Sequence, residues 1–191
     1  MNIYLIRHGR TSANEGRLYC GATDIPLSEG GIAELSELKT KGIYPVKPDL
    51  YFTSGLVRAE QTLDLLYGPV YREALPQFME YHFGDFEMKS YETLKNQSDY
   101  QAWITDETGL VFCPGGECKQ EFTRRVIKGY ESLVKNMQCK NALAVIHGGV
   151  ITSIMEYLFP STRNFYEWQP KPGRGYTLTL APDGINLYQP I

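Results

Sequence analysis

Arginine and histidine residues follow several apolar segments of this sequence. Arg7 and His8 come directly after the apolar segment IYLI, and His147 comes directly after NALAVI. Arg58 lies a few residues beyond a third such segment, in SGLVRAEQT. One guanidinium group can donate two hydrogen bonds to a phosphate at once, and a neutral imidazole has a lone pair that can attack phosphorus. Each residue alone is unremarkable, but together these residue types indicate phosphoryl chemistry.

His8 lies between Arg7 and Arg10, where positive charge should lower its pKa. An imidazole that stays uncharged near pH 7 keeps its lone pair and remains nucleophilic. We therefore expect the arginines both to hold a phosphate group and to keep His8 reactive. Arg10 could face either the pocket or the solvent.

These residues can act together only if the fold brings the ends of the apolar segments to one edge. The patterns predict strands at 2–6, 49–53, 69–74 and 141–147 and helices at 27–38, 54–66 and 148–159. The tail 175–189 alternates around Pro182, Asp183 and Gly184, which predicts a hairpin. Alternating strands and helices predict an α/β fold with a mainly parallel sheet, and ligands bind beyond the carboxyl ends of such strands.

The length of 191 residues fits one domain with a single core. The segment of about 75–115 differs from the rest because it is aromatic and polar. We interpret it as a small insertion over the active-site edge of the sheet. Five of its rings could either stack on a flat substrate or form the insertion's own core; they are Tyr81, Phe86, Tyr91, Tyr100 and Trp103.

The charge balance restricts the class of partner. The net charge is −3, whereas nucleic acids and anionic membranes favour basic surfaces. No apolar run is long enough to cross a bilayer, and no signal peptide is evident, so we expect a cytoplasmic protein. The expected partner is a small molecule, and the sequence does not indicate an oligomeric state.

Six segments resemble the motifs of a known family. RHGRTSAN at 7–14 resembles the signature of the histidine phosphatase superfamily, also called the phosphoglycerate mutase-like family. The remaining segments resemble its later motifs in the same order: GRLYCGATDIPLSEGG, FTSGLVRAEQT, MEYHFGDFEM, CPGGE and VIHGG. The resemblance covers nearly the whole chain, and it implies an α/β sheet with helices on both faces.

The resemblance implies a phosphate site centred on His8. His8 would be the nucleophile that forms a phosphohistidine, and His147 would be a further catalytic residue that binds the transferring phosphoryl group. The remaining phosphate ligands would be Arg7, Arg58, Asn14 and the backbone N–H of Gly148. Side chains supply the positive charge, so neither a metal nor a cofactor is implied.

The resemblance also implies that Glu80 is the acid and base of the reaction. It would protonate the leaving alkoxide and then activate water. Asp85 and Glu87 lie in the same motif and are alternatives if the register of the match is shifted.

Phosphatases and mutases share this core. The mutases of the family carry adjacent arginines after the acidic motif, whereas the segment 88–117 contains only Lys89 and Lys95 as basic residues. Arg124 and Arg125 are adjacent but follow the PGGE turn. We therefore favour a phosphomonoesterase over a phosphoglycerate mutase-type phosphotransferase.

The substrate remains open at this point. EYHFGDFEMKSYETL, YQAWITD and PGGECKQEFTRRV resemble the α-ribazole-5′-phosphate phosphatases of cobalamin biosynthesis, but broad-specificity members have similar surroundings. A non-catalytic phosphate-binding module would need neither a nucleophile nor an acid. A dinucleotide-binding enzyme is disfavoured because no G-x-G-x-x-G follows the first strand.

Overall fold

A computed structural model of the protein describes residues 1–137, 139–181 and 186–191. It contains a six-stranded sheet in the order β3-β2-β4-β1-β5-β6. The strands are β1 (Asn2–Arg7), β2 (Leu50–Thr53), β3 (Glu73–Ala74), β4 (Asn141–Ile146), β5 (Gly175–Leu180) and β6 (Asn186–Pro190). The first four strands run parallel to one another, and β5 pairs antiparallel with both β1 and β6. The predicted α/β fold with a mainly parallel sheet is confirmed.

Eight α-helices occur among the described residues, and helices cover both faces of the sheet. They are α1 (Ser12–Glu15), α2 (Glu29–Thr40), α3 (Val57–Tyr67), α4 (Tyr91–Leu94), α5 (Ser98–Ile104), α6 (Lys119–Asn136), α7 (Gly148–Leu158) and α8 (Phe165–Trp168). Two 3₁₀ turns lie at Pro76–Phe78 and Gly84–Phe86. No helix within the described ranges is long and apolar enough to cross a bilayer.

Strand β4 contributes to the core on both faces because successive side chains of a strand point to opposite sides. Leu143 and Val145 pack with Leu63 and neighbouring residues of α3 on one face. Ala144 and Ile146 belong to the larger cluster on the other face, with residues of α6 and α7. A strand that is apolar at nearly every position is the expected result of this double burial.

One predicted helix begins later in the structure than its sequence pattern indicates. Helix α3 begins at Val57 and not at Ser54, because Gly55 has a positive φ of 87°, which a right-handed helix cannot contain. The carboxylate of Asp24 then accepts the N–H of Val57 (2.8 Å) at the start of the helix. The predicted hairpin turn at Pro182, Asp183 and Gly184 lies outside the described residues.

The aromatic segment packs against the main core. Tyr81, Phe86, Tyr100 and Trp103 are buried in the same cluster as residues of α6 and α7, so their faces are not open to a substrate. Tyr91 is exposed. Most of these rings therefore stabilise the segment. The limits of the insertion, about 75–115, stay a prediction.

Candidate active site

His8 lies immediately beyond β1 and has one defined tautomer. Its Nδ1 is 2.6 Å from the carbonyl oxygen of Gly9. A carbonyl can only accept a hydrogen bond, so Nδ1 must carry the hydrogen and Nε2 must hold the lone pair. Nε2 makes no hydrogen bond to any described residue. The backbone thus presents His8 with the nitrogen that could attack phosphorus unoccupied.

His147 lies beside His8 because β1 and β4 are paired in parallel with Arg7 opposite Ile146. The centroids of the two imidazole rings are 5.1 Å apart. Nε2 of His147 is 2.7 Å from the hydroxyl of Ser54, which already accepts the N–H of Leu56 (3.3 Å). The Ser54 hydroxyl hydrogen is therefore available for Nε2, and in that arrangement Nδ1 of His147 carries a hydrogen.

Both histidines are held in the neutral form. His8 is 5% exposed and His147 is fully buried. Burial lowers the pKa of His8 well below its ordinary value of 6.5, and the charges of Arg58 and Arg7 lower it further. Burial is also the main cause of the lowered pKa of His147, followed by His8, Arg58 and Arg7. The expectation that neighbouring arginines disfavour protonation of His8 agrees with these contacts, although burial has the larger effect.

Arg58 is fixed on two sides by backbone carbonyls. Its Nη1 donates to Thr23 (2.9 Å) and its Nη2 donates to Gly21 (2.7 Å), and the side chain is only 1% exposed. A guanidinium has five N–H donors in one plane, so two fixed donors set the direction of the other three. Arg58 lies in the first turn of α3, as predicted.

Arg7 approaches the site from the end of β1. Its Nη1 donates to the carbonyl of Pro170 (2.8 Å). Burial lowers its pKa, the charge of Glu80 opposes this shift, and Arg58 adds to it. A Cβ on Gly148 would lie 3.2 Å from Cζ of Arg7, so the glycine lets the guanidinium pack against the start of α7.

Several buried polar atoms of this cluster have no partner. Among the described residues, five buried side-chain nitrogen or oxygen atoms make no hydrogen bond. Three of them are Nε of Arg7, Nε of Arg58 and Nδ1 of His147. Buried polar atoms without partners are rare, and three donors in one cluster indicate a site for an anion.

Asn14 and Gly148 have donors available at the same edge. The side-chain oxygen of Asn14 accepts the N–H of Thr11 (3.0 Å), which directs its amide nitrogen away from that bond, and this nitrogen has no partner among the described residues. The first intrahelical bond of α7 runs from Ile151 to His147, so the N–H of Gly148 precedes the helical ladder. Both groups can therefore donate to a ligand.

Glu80 is bound to the start of α7. Its carboxylate accepts the N–H of Gly149 (2.9 Å) and the N–H of Tyr81 (2.9 Å). The alternatives are placed differently: Asp85 is exposed, and both oxygens of Glu87 are occupied by backbone and hydroxyl donors. Glu80, by contrast, is bound to Gly149, two residues after His147, and its charge acts on Arg7.

Some residues that shape the site were not predicted from the sequence. Ser54 holds His147, and Thr62 accepts the N–H of Gly9 (2.9 Å) while donating to the carbonyl of Arg58 (2.7 Å). The sequence gives only weak indications of these roles, because a small polar residue at a strand end and a threonine four residues after Arg58 are both common. Arg10 faces solvent and pairs with Glu34 (3.0 Å), so it is not part of the cluster.

Comparison with known proteins agrees with this geometry. The model of the histidine phosphatase superfamily (branch 1) matches residues 3–188. An adenosylcobalamin/alpha-ribazole phosphatase of Salmonella typhimurium is 36% identical over 162 residues, which cover 83% of this chain and 79% of that protein. A 2,3-bisphosphoglycerate-dependent phosphoglycerate mutase of Bradyrhizobium diazoefficiens is 30% identical over 168 residues, covering 82% of this chain and 80% of that protein.

Solved structures show the same relationship. The alpha-ribazole phosphatase of Shigella flexneri superposes with a TM-score of 0.88 at 28% identity, over 99% of this chain and 95% of that chain. These similarities confirm the predicted phosphatase-type enzyme with a phosphoglycerate mutase-like fold. The chain belongs to branch 1 of the histidine phosphatase superfamily.

Proposed function

We propose that the protein hydrolyses a small phosphorylated metabolite of the cytoplasm through a phosphohistidine on His8, without a metal ion. The observation that carries this proposal is the set of unpartnered buried donors around His8: Nε of Arg7, Nε of Arg58 and Nδ1 of His147. They would hold the phosphoryl oxygens while the free Nε2 of His8 faces phosphorus. Phosphoryl transfer depends chiefly on such positioning and charge neutralisation.

In the first step, the lone pair on Nε2 of His8 forms a bond to phosphorus and the ester P–O bond breaks. The protonated carboxyl of Glu80 transfers its proton to the leaving alkoxide, which departs as an alcohol. In the second step, the Glu80 carboxylate takes a proton from water as the water oxygen attacks phosphorus. The P–N bond breaks, inorganic phosphate leaves, and His8 and Glu80 return to their starting states.

The remaining residues of the site would stabilise the negative charge on the transferring phosphoryl group. Arg7 and Arg58 would share the developing negative charge, with Asn14 and the N–H of Gly148 as further donors. The positive end of the α7 dipole faces the same point. These groups supply the charge that a metal ion supplies in other phosphoryl-transfer enzymes.

The substrate class we propose is a phosphomonoester such as α-ribazole 5′-phosphate. Relatives named for that substrate are 34–36% identical over most of this chain. The competing activity is that of a phosphoglycerate mutase, after which other relatives are named. The segment 88–117 has no arginine to hold a second acidic group, which favours hydrolysis over transfer back to the substrate.

The test is a labelling and turnover assay on a panel of phosphomonoesters that includes α-ribazole 5′-phosphate, with and without chelator. We expect turnover to persist in chelator and an acid-labile phosphoenzyme to form; His8→Ala should abolish both. His82→Ala is the matched control, because His82 is exposed and should leave both unchanged. Full activity of His8→Ala would overturn the proposal, and interconversion of phosphoglycerates with their bisphosphate would favour the mutase.

A further inference from the structure

Glu87 is not among the groups expected to touch phosphate, yet it is bound by five donors. Its Oε1 accepts the N–H groups of Ala22 (2.9 Å) and Phe83 (3.1 Å). Its Oε2 accepts the N–H of Thr23 (3.4 Å) and the Thr23 hydroxyl (2.7 Å). The N–H of Gly21 lies within reach of both oxygens, at 3.2 and 3.0 Å. The carboxylate thus holds the backbone of the loop 21–23 by hydrogen bonds from all three of its residues.

The opposite side of the same loop holds Arg58. Gly21 and Thr23 each direct an N–H toward Glu87 and a C=O toward the Arg58 guanidinium. The peptide group between Gly21 and Ala22 bridges the two charges directly, because its N–H donates to Glu87 and its C=O accepts from Arg58. Hydrogen bonds in such a chain polarise and strengthen one another.

The loop 21–23 is also held by neighbouring segments. A Cβ on Gly21 would overlap the carbonyl oxygen of Tyr81, so the backbone is packed against the segment that follows Glu80. Beyond the loop, the carboxylate of Asp24 binds the N–H of Val57, next to Arg58 in sequence. Glu87 differs from these contacts because its bond to the Ala22 N–H acts on the same peptide group whose carbonyl accepts Nη2 of Arg58.

We propose that Glu87 is a positioning residue for phosphate binding, acting on Arg58 through the loop 21–23. This inference rests on the proposed function, since it takes Arg58 as a phosphate ligand. In Glu87→Gln an amide NH₂ replaces one acceptor oxygen and faces N–H donors with a donor of its own. The loop carbonyls then lose their fixed direction, and the three free donors of Arg58 lose theirs.

The test is a double-mutant cycle on the binding of orthovanadate, measured by calorimetry so that no turnover is needed. We expect Glu87→Gln to weaken vanadate binding about 10-fold in the parent, but less than about 2-fold when Arg58→Ala is already present. Asp85→Asn is the matched control, because Asp85 is an exposed carboxylate two residues away and should leave the affinity unchanged. Urea unfolding of each variant separates loss of binding from loss of folding.

Equal losses in both backgrounds would overturn the inference, since Glu87 would then act independently of Arg58. If Arg58→Ala itself leaves vanadate binding intact, the proposed ligand set is wrong and this inference fails with it. If Glu87→Gln does not fold, Thr23→Val removes only the hydroxyl bond to Glu87 and decides the question. We expect it to weaken vanadate binding about 3-fold in the parent and not in Arg58→Ala; no change in the parent would refute the inference.

Discussion

Replacing Gly149 by alanine should move Glu80 without disturbing the fold. Gly149 lies in the first turn of α7, and its N–H binds the Glu80 carboxylate. A Cβ at this position would lie 2.5 Å from Oε1 of Glu80, and its three nearest atoms all belong to that carboxylate. Because Glu80 is a flexible side chain, it would swing away while the helix stays in place.

The size of the effect follows from this distance. Ordinary contact begins at 3.4 Å, so the Glu80 oxygen must move by about 0.9 Å. A displacement of about 1 Å in a reacting group costs on the order of 10²-fold in rate. Alanine is also the better helix former, by up to about 1 kcal/mol, so the free energy of unfolding should not fall. We therefore expect Gly149→Ala to lose about 100-fold in kcat/KM while remaining fully folded.

The assay compares an alkyl phosphate with p-nitrophenyl phosphate. In the proposed mechanism an alkoxide leaving group needs a proton from Glu80, whereas nitrophenolate leaves readily without one, so kcat/KM should fall much more for the alkyl ester. Gly149→Ala combined with Glu80→Gln should be no slower than Glu80→Gln alone. If Gly149→Ala hydrolyses the alkyl ester at the parent rate, Glu80 is not the acid in the position described.

Two further predictions concern the histidines. The pKa of buried His8 and His147 is lowered, so below about pH 6.5 only the unfolded chain takes up protons on these residues. The free energy of unfolding should therefore fall as the pH falls, and between pH 7 and 5 each histidine contributes up to about 2 kcal/mol of that decrease. In phosphate-free urea titrations, His8→Asn should reduce the pH-dependent loss by that amount and exposed His82→Asn should not, and identical slopes would contradict the assignment. Ser54→Ala removes the hydroxyl donor from Nε2 of His147, so the hydrogen is no longer fixed on Nδ1 and vanadate inhibition should weaken about 10-fold. An unchanged inhibition constant would exclude this hydrogen bond from phosphate binding.

The placement of the two histidines could be predicted because it depends on a general property of parallel sheets. Each histidine directly follows an apolar strand, and adjacent parallel strands end at the same edge. Their spatial proximity then requires only that β1 and β4 be neighbours. The separation of 5.1 Å and the tautomer of His8 depend on the pairing register and on the Gly9 carbonyl, which strand patterns do not specify.

Contacts between distant segments could not be predicted in the same way. Ser54 reads as the start of a helix, because serine commonly caps one, but here its hydroxyl holds a histidine 93 residues away. The aromatic residues of the insertion suggest a stacking surface equally well as a core. Their burial is decided by the tertiary packing of Tyr100 and Trp103 against Phe86, and a hydrophobic pattern alone cannot distinguish these outcomes.

The two carboxylates at the ends of EYHFGDFE show how surroundings assign different tasks to the same residue type. Glu80 accepts one N–H from Gly149 at the start of α7 and one from Tyr81, so it remains close to the leaving group expected there. Glu87 accepts hydrogen bonds from five donors, so both of its oxygens are committed to the loop 21–23 and Phe83. Arg125 donates to the carbonyl of Met79 and to Glu117, which fixes the chain just before Glu80. In the proposed mechanism, one short segment thus supplies the acid at one end and the support for the proposed phosphate ligand Arg58 at the other. A change that shifts the segment should therefore impair acid catalysis and phosphate binding together.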